Sequence, residues 1–173
     1  MKDDLKARTE RSIFHAFAER YRADVDRHSI ATGDPNEKEP DIVAKSTEGY
    51  IPIAVELVQL GEFQDTEAPA AAGTASAPSA TGLSIAAFTK KFSNVRQGRY
   101  ARFQPGDLEL LAYTDHLLTP WPVVLAALTQ WLEQEAAHDA FARVWIWKRP
   151  TRAGDGTEGV WLWTAGRPVE KFA

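Results

Sequence analysis

The stretch EPDIVAKSTEGYIPIAVELV, residues 39–58, decides the predicted fold. It contains DIVAKS (Asp41 to Ser46) and most of YIPIAVELVQL (Tyr50 to Leu60), two segments rich in the β-branched and apolar residues that favour strands. The polar residues between them are typical of a hairpin turn. We therefore predict two adjacent antiparallel strands, the second of which is apolar on both faces, as expected of a central strand.

Hydrophobic periodicity predicts the elements on either side of this hairpin. Apolar residues at helical spacing predict an amphipathic helix from Asp4 to about Tyr21. The next stretch, residues 22–38, is polar and broken by a glycine and a proline, and only His28 to Thr32 resembles a short strand. Residues 66–82 are rich in Ala, Ser and Pro without an apolar period, which predicts a flexible loop within one domain.

The second half of the chain predicts two helices and three strands. The helices are predicted at Leu83 to Tyr100 and in VVLAALTQWLEQEAAH after Pro122, and the strands in LELLAYTD (Leu108 to Asp115), ARVWIWKR (residues 142–149) and GVWLWTA (residues 159–165). The last two alternate in period two, so Trp145 and Trp147 should share a face, as should Trp161 and Trp163. Such a stripe can stack bases, but cross-strand packing is a sufficient explanation. The fold class is α/β, a central mixed sheet flanked by helices with a C-terminal antiparallel Trp-rich strand pair.

Composition favours one globular domain inside the cell. The chain has 173 residues, of which 44% are apolar and 25% charged, enough to bury a continuous core. It contains no cysteine, which excludes disulfides and thiolate metal sites. The first residues are highly charged, and no apolar run approaches the roughly 20 residues that span a bilayer. We therefore expect no membrane insertion and a cytoplasmic location.

Three carboxylates stand at positions where burial or convergence is predicted. Glu56 interrupts the apolar strand, and because burying an unpaired carboxylate is unfavourable, it needs a cation, a metal or a hydrogen-bond donor. Asp41 opens the neighbouring strand, so hairpin pairing can bring it near Glu56. Glu10 points almost along the apolar face of the first helix, although capping or snorkelling explains that position equally well. Convergent carboxylates without cysteine suit Mg²⁺ or Mn²⁺, which promote phosphodiester hydrolysis.

The charge distribution indicates that any binding of nucleic acid is confined to a local basic surface. The formal net charge is −4 and the isoelectric point about 5.6, which counts against a strong general attraction to DNA. One basic cluster lies in TKKFSNVRQGRYAR, and its members are Lys90, Lys91, Arg96, Arg99 and Arg102. A basic stretch of this kind is more often a solvated helix face than a binding site.

The hairpin motif resembles the PD...(D/E)-x-K signature of the restriction-endonuclease-like, or PD-(D/E)XK, nuclease superfamily. The resemblance covers about Asp4 to Asp115, in the order helix, hairpin, helix, buried strand, and it implies a restriction-endonuclease-like core. It further implies that Asp41 and Glu56 bind the catalytic Mg²⁺ or Mn²⁺, and that Glu10 is the acidic residue contributed by the preceding helix. The activity it implies is metal-dependent cleavage of DNA.

The sequence departs from this signature at the lysine. Members of the superfamily usually have Lys two residues after the Glu, where it orients or activates the attacking water, but here that position is Val58. The superfamily tolerates relocation of the lysine to the following helix. Lys91 lies at the margin of the apolar face of that helix whereas Lys90 points away, so Lys91 is the predicted replacement. Gln59 and Lys45 are poorer candidates.

Three functions are compatible with these observations. The leading one is a metal-dependent phosphodiesterase acting on DNA, in which Asp41, Glu56 and Glu10 hold the metal and Lys91 lies near the scissile phosphate. Arg96, Arg99 and Arg102 then contact the backbone without reading bases. The second is a catalytically inactive nuclease-like fold that serves as a binding or interaction module, which Val58 and the acidic net charge favour. The third is an unrelated α/β protein in which Glu56 pairs with an arginine such as Arg99.

Overall fold

The structure is a computed structural model. It describes residues 2–49, 51–61, 85–100, 102–114, 120–135, 140–149 and 157–173. The predicted flexible loop at 66–82 and the first two residues of the helix predicted from Leu83 lie outside the described residues.

Three helices and seven strands form the described part of the chain. The helices are α1 (Lys2–Tyr21), α2 (Ile85–Arg96) and α3 (Trp121–Glu135). The strands are β1 (Val25–Thr32), β2 (Ile42–Ser46), β3 (Pro52–Gln59), β4 (Leu108–Thr114), β5 (Arg143–Lys148), β6 (Gly159–Thr164) and β7 (Glu170–Lys171). Short 3-10 turns at Pro35–Glu37 and Pro105–Asp107 precede β2 and β4. The predicted α/β class is therefore confirmed.

The strands form one mixed sheet in the order β1-β2-β3-β4-β5-β6-β7. The predicted hairpin is confirmed, because β2 and β3 are antiparallel with Ile42 opposite Val55. The pairs β3–β4 and β4–β5 are parallel, whereas β1–β2, β5–β6 and β6–β7 are antiparallel. This arrangement makes β3 and β4 central strands, in agreement with their apolar sequences.

Helices cover both faces of the sheet. Phe14 and Phe17 of α1 pack with Val55 and Leu57 of β3 in one buried cluster. The side chains of β3 that alternate with these pack in a second cluster with α2 and α3. Since successive side chains of a strand point to opposite faces, α1 lies on one face of the sheet and α2 and α3 lie on the other. Within the described ranges, no helix is long and apolar enough to cross a membrane.

Two strands were not fully predicted from the sequence. β1 begins at Val25, earlier than the short strand considered at His28 to Thr32, and it shifts register against β2 between Asp26 and Ala31. It lies at the edge of the sheet and has few buried residues, so its sequence lacks a clear apolar alternation. β7 has two exposed residues and carries no strand signal.

The C-terminal strand pair agrees with the predicted pattern. Trp145 and Trp147 share one face and are buried against α1, where both rings contact Phe17. Trp161 and Trp163 pack in the cluster on the other face. Burial of Trp145, Trp147 and Trp163 removes these rings from any base-stacking surface, and the packing interpretation of the tryptophans is the correct one.

Candidate functional site

Asp41 and Glu56 lie side by side on adjacent strands. The Asp41 amide donates to Glu56 Oε1 at 3.2 Å, and the Leu57 amide donates to Asp41 Oδ2 at 2.9 Å. Their side chains are 15% and 3% exposed. A side chain at Gly33 would collide with the Pro40 carbonyl oxygen, so glycine allows the end of β1 to approach the start of β2 and fix Asp41. The side chains of Asp41 and Glu56 therefore lie together, as the sequence predicts.

Lys91 of α2 is the cation that both carboxylates share. Its ammonium donates to Asp41 Oδ2 at 2.8 Å and to Glu56 Oε2. It is 20% exposed, whereas the neighbouring Lys90 is exposed at the surface, in agreement with their predicted directions on the helix. Among the described residues Glu56 forms no ion pair with Arg99, so the arginine pairing considered from the sequence is absent.

Glu10 of α1 lies next to this pair. Lys6 is 3.2 Å from Glu10 Oε1 and 3.9 Å from Asp41 Oδ1, so it connects the helix to the start of β2. Burial and the negative charge of Asp41 raise the pKa of Glu10 above its ordinary value. Glu10 thus faces the sheet close to Asp41, and the wheel argument located it on the correct side of α1.

Tyr100 completes the surroundings of Glu56 and was not predicted. It lines the same cavity as Glu56, and burial together with the Glu56 anion raises the pKa of Tyr100 well above its ordinary value. The phenol is therefore a hydrogen-bond donor rather than a base at physiological pH. The only signal in the sequence was an aromatic residue inside a basic stretch, which is too weak to indicate a site residue.

The charge state of the site follows from three shifted pKa values. Burial opposes ionisation of Asp41, but Lys91 and the Leu57 amide together lower the pKa of Asp41. Burial and the adjacent negative charge of Asp41 raise the pKa of Glu56, although the positive charge of Lys91 acts in the opposite direction. Burial opposes protonation of Lys91, but the two carboxylates raise its pKa above the ordinary value. Lys91 stays protonated, and Glu56 is the carboxyl of the pair that protonates first.

A cavity of about 440 Å³ opens in front of these side chains. Its lining includes five cationic and four acidic side chains, namely Lys6, Lys38, Lys90, Lys91, Arg99, Glu10, Glu39, Asp41 and Glu56. Of the acidic residues, Glu56 is buried and Asp41, Glu10 and Glu39 are only partly exposed, whereas Lys6, Lys38, Lys90 and Arg99 are exposed. A cavity with acidic groups inside and basic groups at its mouth has the charge pattern of a site for a cation together with a phosphate.

The donor set fits a magnesium ion that binds through few protein ligands. Mg²⁺ is commonly held by one or two carboxylates and completes its octahedron with water and substrate phosphate oxygens. Asp41 and Glu56 supply such a pair of carboxylates. No group of three acidic or histidine side chains in the described part of the chain converges closely enough to hold a metal by itself. Lys91 takes Asp41 Oδ2 and Glu56 Oε2, so Asp41 Oδ1 and Glu56 Oε1 are the oxygens that a metal could bind without displacing the ammonium.

The three arginines predicted to contact DNA occupy different environments. Arg96 and Arg99 are exposed at and beyond the end of α2, where their guanidinium groups lie over the rings of Phe92 and Tyr100. Arg102 instead forms ion pairs with Glu37 and Glu39, at the turn before β2. Of the three, only Arg99 lines the cavity.

A second buried ionic cluster was missed by the sequence analysis. Glu109 of β4 accepts hydrogen bonds from Arg22 at 2.7 and 3.2 Å, from Arg143 at 2.7 Å and from the Trp145 indole at 2.7 Å. Arg22 also donates to both oxygens of Asp24. Glu109 interrupts an apolar strand as Glu56 does, so the same rule that selected Glu56 would have found it.

No significant match was found when the chain was compared with protein-family models, with curated proteins and with solved structures.

Proposed function

We propose that this protein is a divalent-metal-dependent phosphodiesterase with a restriction-endonuclease-like core that acts on DNA. The observation that carries the proposal is the contact of Asp41, Glu56 and Lys91 at the wall of a cavity whose mouth is basic. The order α1, β1, β2–β3 hairpin, α2, β4 contains the helix, hairpin, helix and strand that the resemblance implies, with β1 as an additional strand. Lys91 approaches the carboxylates from α2, which supports its role as replacement for the lysine missing at Val58.

The metal would be held by Asp41 and Glu56, and Glu10 lines the same cavity as a third carboxylate. Bound Mg²⁺ or Mn²⁺ supplies a Lewis acid that polarises the phosphodiester and lowers the pKa of water. Lys91 places a fixed positive charge beside these carboxylates, where negative charge develops on the attacked phosphoryl oxygens. Tyr100 lies in the same cavity wall as a protonated phenol near Glu56.

A second function, an inactive binding or interaction module, is favoured by one observation. Lys91 binds one oxygen of Asp41 and one of Glu56 and so neutralises part of the charge that would attract a metal. In an inactive module this ion pair is permanent and only stabilises the fold. The two functions therefore differ in whether a divalent ion binds at these carboxylates.

Thermal unfolding with and without Mg²⁺ or Mn²⁺, combined with plasmid cleavage, separates the two functions. At about 100 times its Kd, a metal that binds only the folded state stabilises it by about 2.7 kcal/mol, which raises Tm by about 5–10 °C for a chain of this size. We expect this increase and cleavage in the wild type and neither in Glu56→Gln. The control variant is Glu48→Gln, in the exposed turn of the same hairpin, which should behave like the wild type. A wild type without a metal response, or cleavage that persists in Glu56→Gln, contradicts the proposal.

A further inference from the structure

Lys38 adopts an unusual backbone conformation at the mouth of the cavity. It follows the turn Pro35–Glu37 with φ 55° and ψ 40°, and among the described residues it is the one non-glycine residue with positive φ. This left-handed region is unfavourable for a residue with a Cβ atom and is usually occupied by Gly or Asn. Backbone strain of this kind is concentrated at functional sites, where the side chain is needed at that position.

The surroundings of Lys38 hold its backbone in place. Asp34 accepts a hydrogen bond from the Asn36 amide at 2.8 Å, and the Lys38 amide donates to the Pro35 carbonyl at 3.3 Å. Arg102 forms ion pairs with Glu37 and Glu39, the residues on either side of Lys38. Both flanking acidic side chains are thereby engaged by Arg102, and Lys38 lines the cavity as an exposed residue without an ion pair of its own among the described residues.

Two of the cations at the mouth of the cavity lack an ion-pair partner. Neither Lys38 nor Lys90 forms a side-chain hydrogen bond or salt bridge with any residue in the described ranges. Arg99, which lines the same cavity, lies over the Tyr100 ring at 5.9 Å. Three cationic side chains from the turn before β2, from α2 and from the segment after α2 therefore surround one opening.

We propose that Lys38, Lys90 and Arg99 form an anion site for a phosphate group at the mouth of the cavity, and that Lys38 is its principal ligand. Lysine and arginine bind phosphate through charge-assisted hydrogen bonds, and two ammonium groups with one guanidinium suit a dianionic phosphate or two phosphodiester oxygens. The assignment of this phosphate to the backbone of a DNA substrate rests on the proposed function. The anion site itself does not depend on cleavage.

Calorimetric titration of the metal-free protein with inorganic pyrophosphate tests the anion site. Lys38→Gly removes the ammonium and also relieves the left-handed strain, so it should weaken pyrophosphate binding about fivefold or more without lowering Tm. Lys38→Arg should bind within about twofold of the wild type. Lys171→Gln removes an exposed lysine at the opposite edge of the sheet and controls for net charge.

The results distinguish the anion site from the proposed function. The anion site is overturned if the wild type does not bind pyrophosphate, if Lys38→Gly binds as the wild type does, or if Lys171→Gln loses as much affinity. Plasmid cleavage with Mg²⁺ is measured on the same variants, and KM is expected to rise in Lys38→Gly. Cleavage with unchanged KM refutes the DNA assignment alone. Pyrophosphate binding that depends on Lys38, in a wild type that cleaves no DNA, refutes the nuclease function and leaves the anion site intact.

Discussion

Glu56 and Glu109 are buried carboxylates on adjacent parallel strands, and their surroundings differ in a way that separates a site from a structural ion pair. Glu109 lies on the face covered by α1, where two arginines and an indole donate to it. Glu56 lies on the opposite face, next to a second carboxylate and a single ammonium. Burial of a carboxylate is thus common to both and does not by itself indicate function.

The charge balance of the two clusters is the informative difference. Around Glu109, two carboxylates meet two guanidinium groups, and Arg22 and Glu109 are only 2% and 4% exposed. Around Glu56, two carboxylates share Lys91 and face a cavity. The first cluster is neutral and its centre is buried, although Asp24 and Arg143 are partly exposed. The second cluster places two adjacent carboxylates with one shared ammonium beside open space, as a cation-binding site requires.

The largest effect is expected from Glu109→Ala. This substitution leaves the buried guanidinium of Arg22 with Asp24 alone and removes the acceptor of the Trp145 indole. Loss of one partner of a buried pair lowers the free energy of unfolding by about 3–5 kcal/mol. Urea denaturation measures the change. Asp24→Asn, at a partly exposed position, should have a smaller effect. A loss below about 1 kcal/mol in Glu109→Ala would mean that this buried ion pair contributes little to the stability of the fold.

A smaller loss of stability is expected from Lys91→Met, with Lys90→Met as the matched control. Without Lys91, Asp41 and Glu56 repel each other and lose their common cation, but the cavity admits water that solvates them in part. We expect a loss of about 2–3 kcal/mol for Lys91→Met and a change within about 0.5 kcal/mol for the exposed Lys90→Met. Equal effects in the two variants would show that the ion pair with α2 contributes little.

The smallest effect is a change in pH dependence between the wild type and Glu56→Gln. Because the pKa of Glu56 is raised above 4.5 in the folded protein, the folded state holds this proton more tightly than the unfolded chain. The corresponding stability is present below that value and is lost as pH rises through the raised pKa. Glu56→Gln lacks this loss, so its stability relative to the wild type should increase from about pH 4 to about pH 7.

Urea denaturation in metal-free buffers at several pH values measures this difference. Glu48→Gln again serves as the control, since it removes an exposed carboxylate from the turn of the same hairpin. If the stability of Glu56→Gln relative to the wild type falls as the pH rises, the folded protein stabilises the charged form of Glu56. The pKa of Glu56 is then lowered by folding and not raised.

The central elements could be predicted because their signals are local. An apolar run of strand length and helical spacing of apolar residues identified the hairpin, α2, β4 and α3 to within a few residues. The candidate site followed from one physical rule, that a carboxylate in an apolar strand needs a partner. A lysine on α2 is expected only from the resemblance to the PD-(D/E)XK signature, and the helical wheel favours Lys91 over Lys90. The contact of Lys91 with Glu56 agrees with that prediction.

The remaining features depend on partners that are distant in sequence. Arg22 and Glu109 are 87 residues apart, and nothing near Arg22 indicates that it is buried. β1 is held by pairing with β2 rather than by its own apolar pattern. The ion pairs of Arg102 with Glu37 and Glu39 could not be predicted, because these acidic residues lie across a turn that the sequence does not define. Lys38 was missed because its conformation is visible only in three dimensions.

The parallel pairing of β3 with β4 also bears on how the protein folds. The chain between Gln59 and Leu108 must cross over the sheet before these strands can pair, and α2 lies within this crossover. Asp41 and Lys91 are 50 residues apart, so their contact closes a long loop. Contacts of high sequence separation form slowly because loop entropy is lost before they are made. The β2–β3 hairpin should therefore form early in folding, and the Asp41–Lys91 contact should slow unfolding more than it accelerates folding.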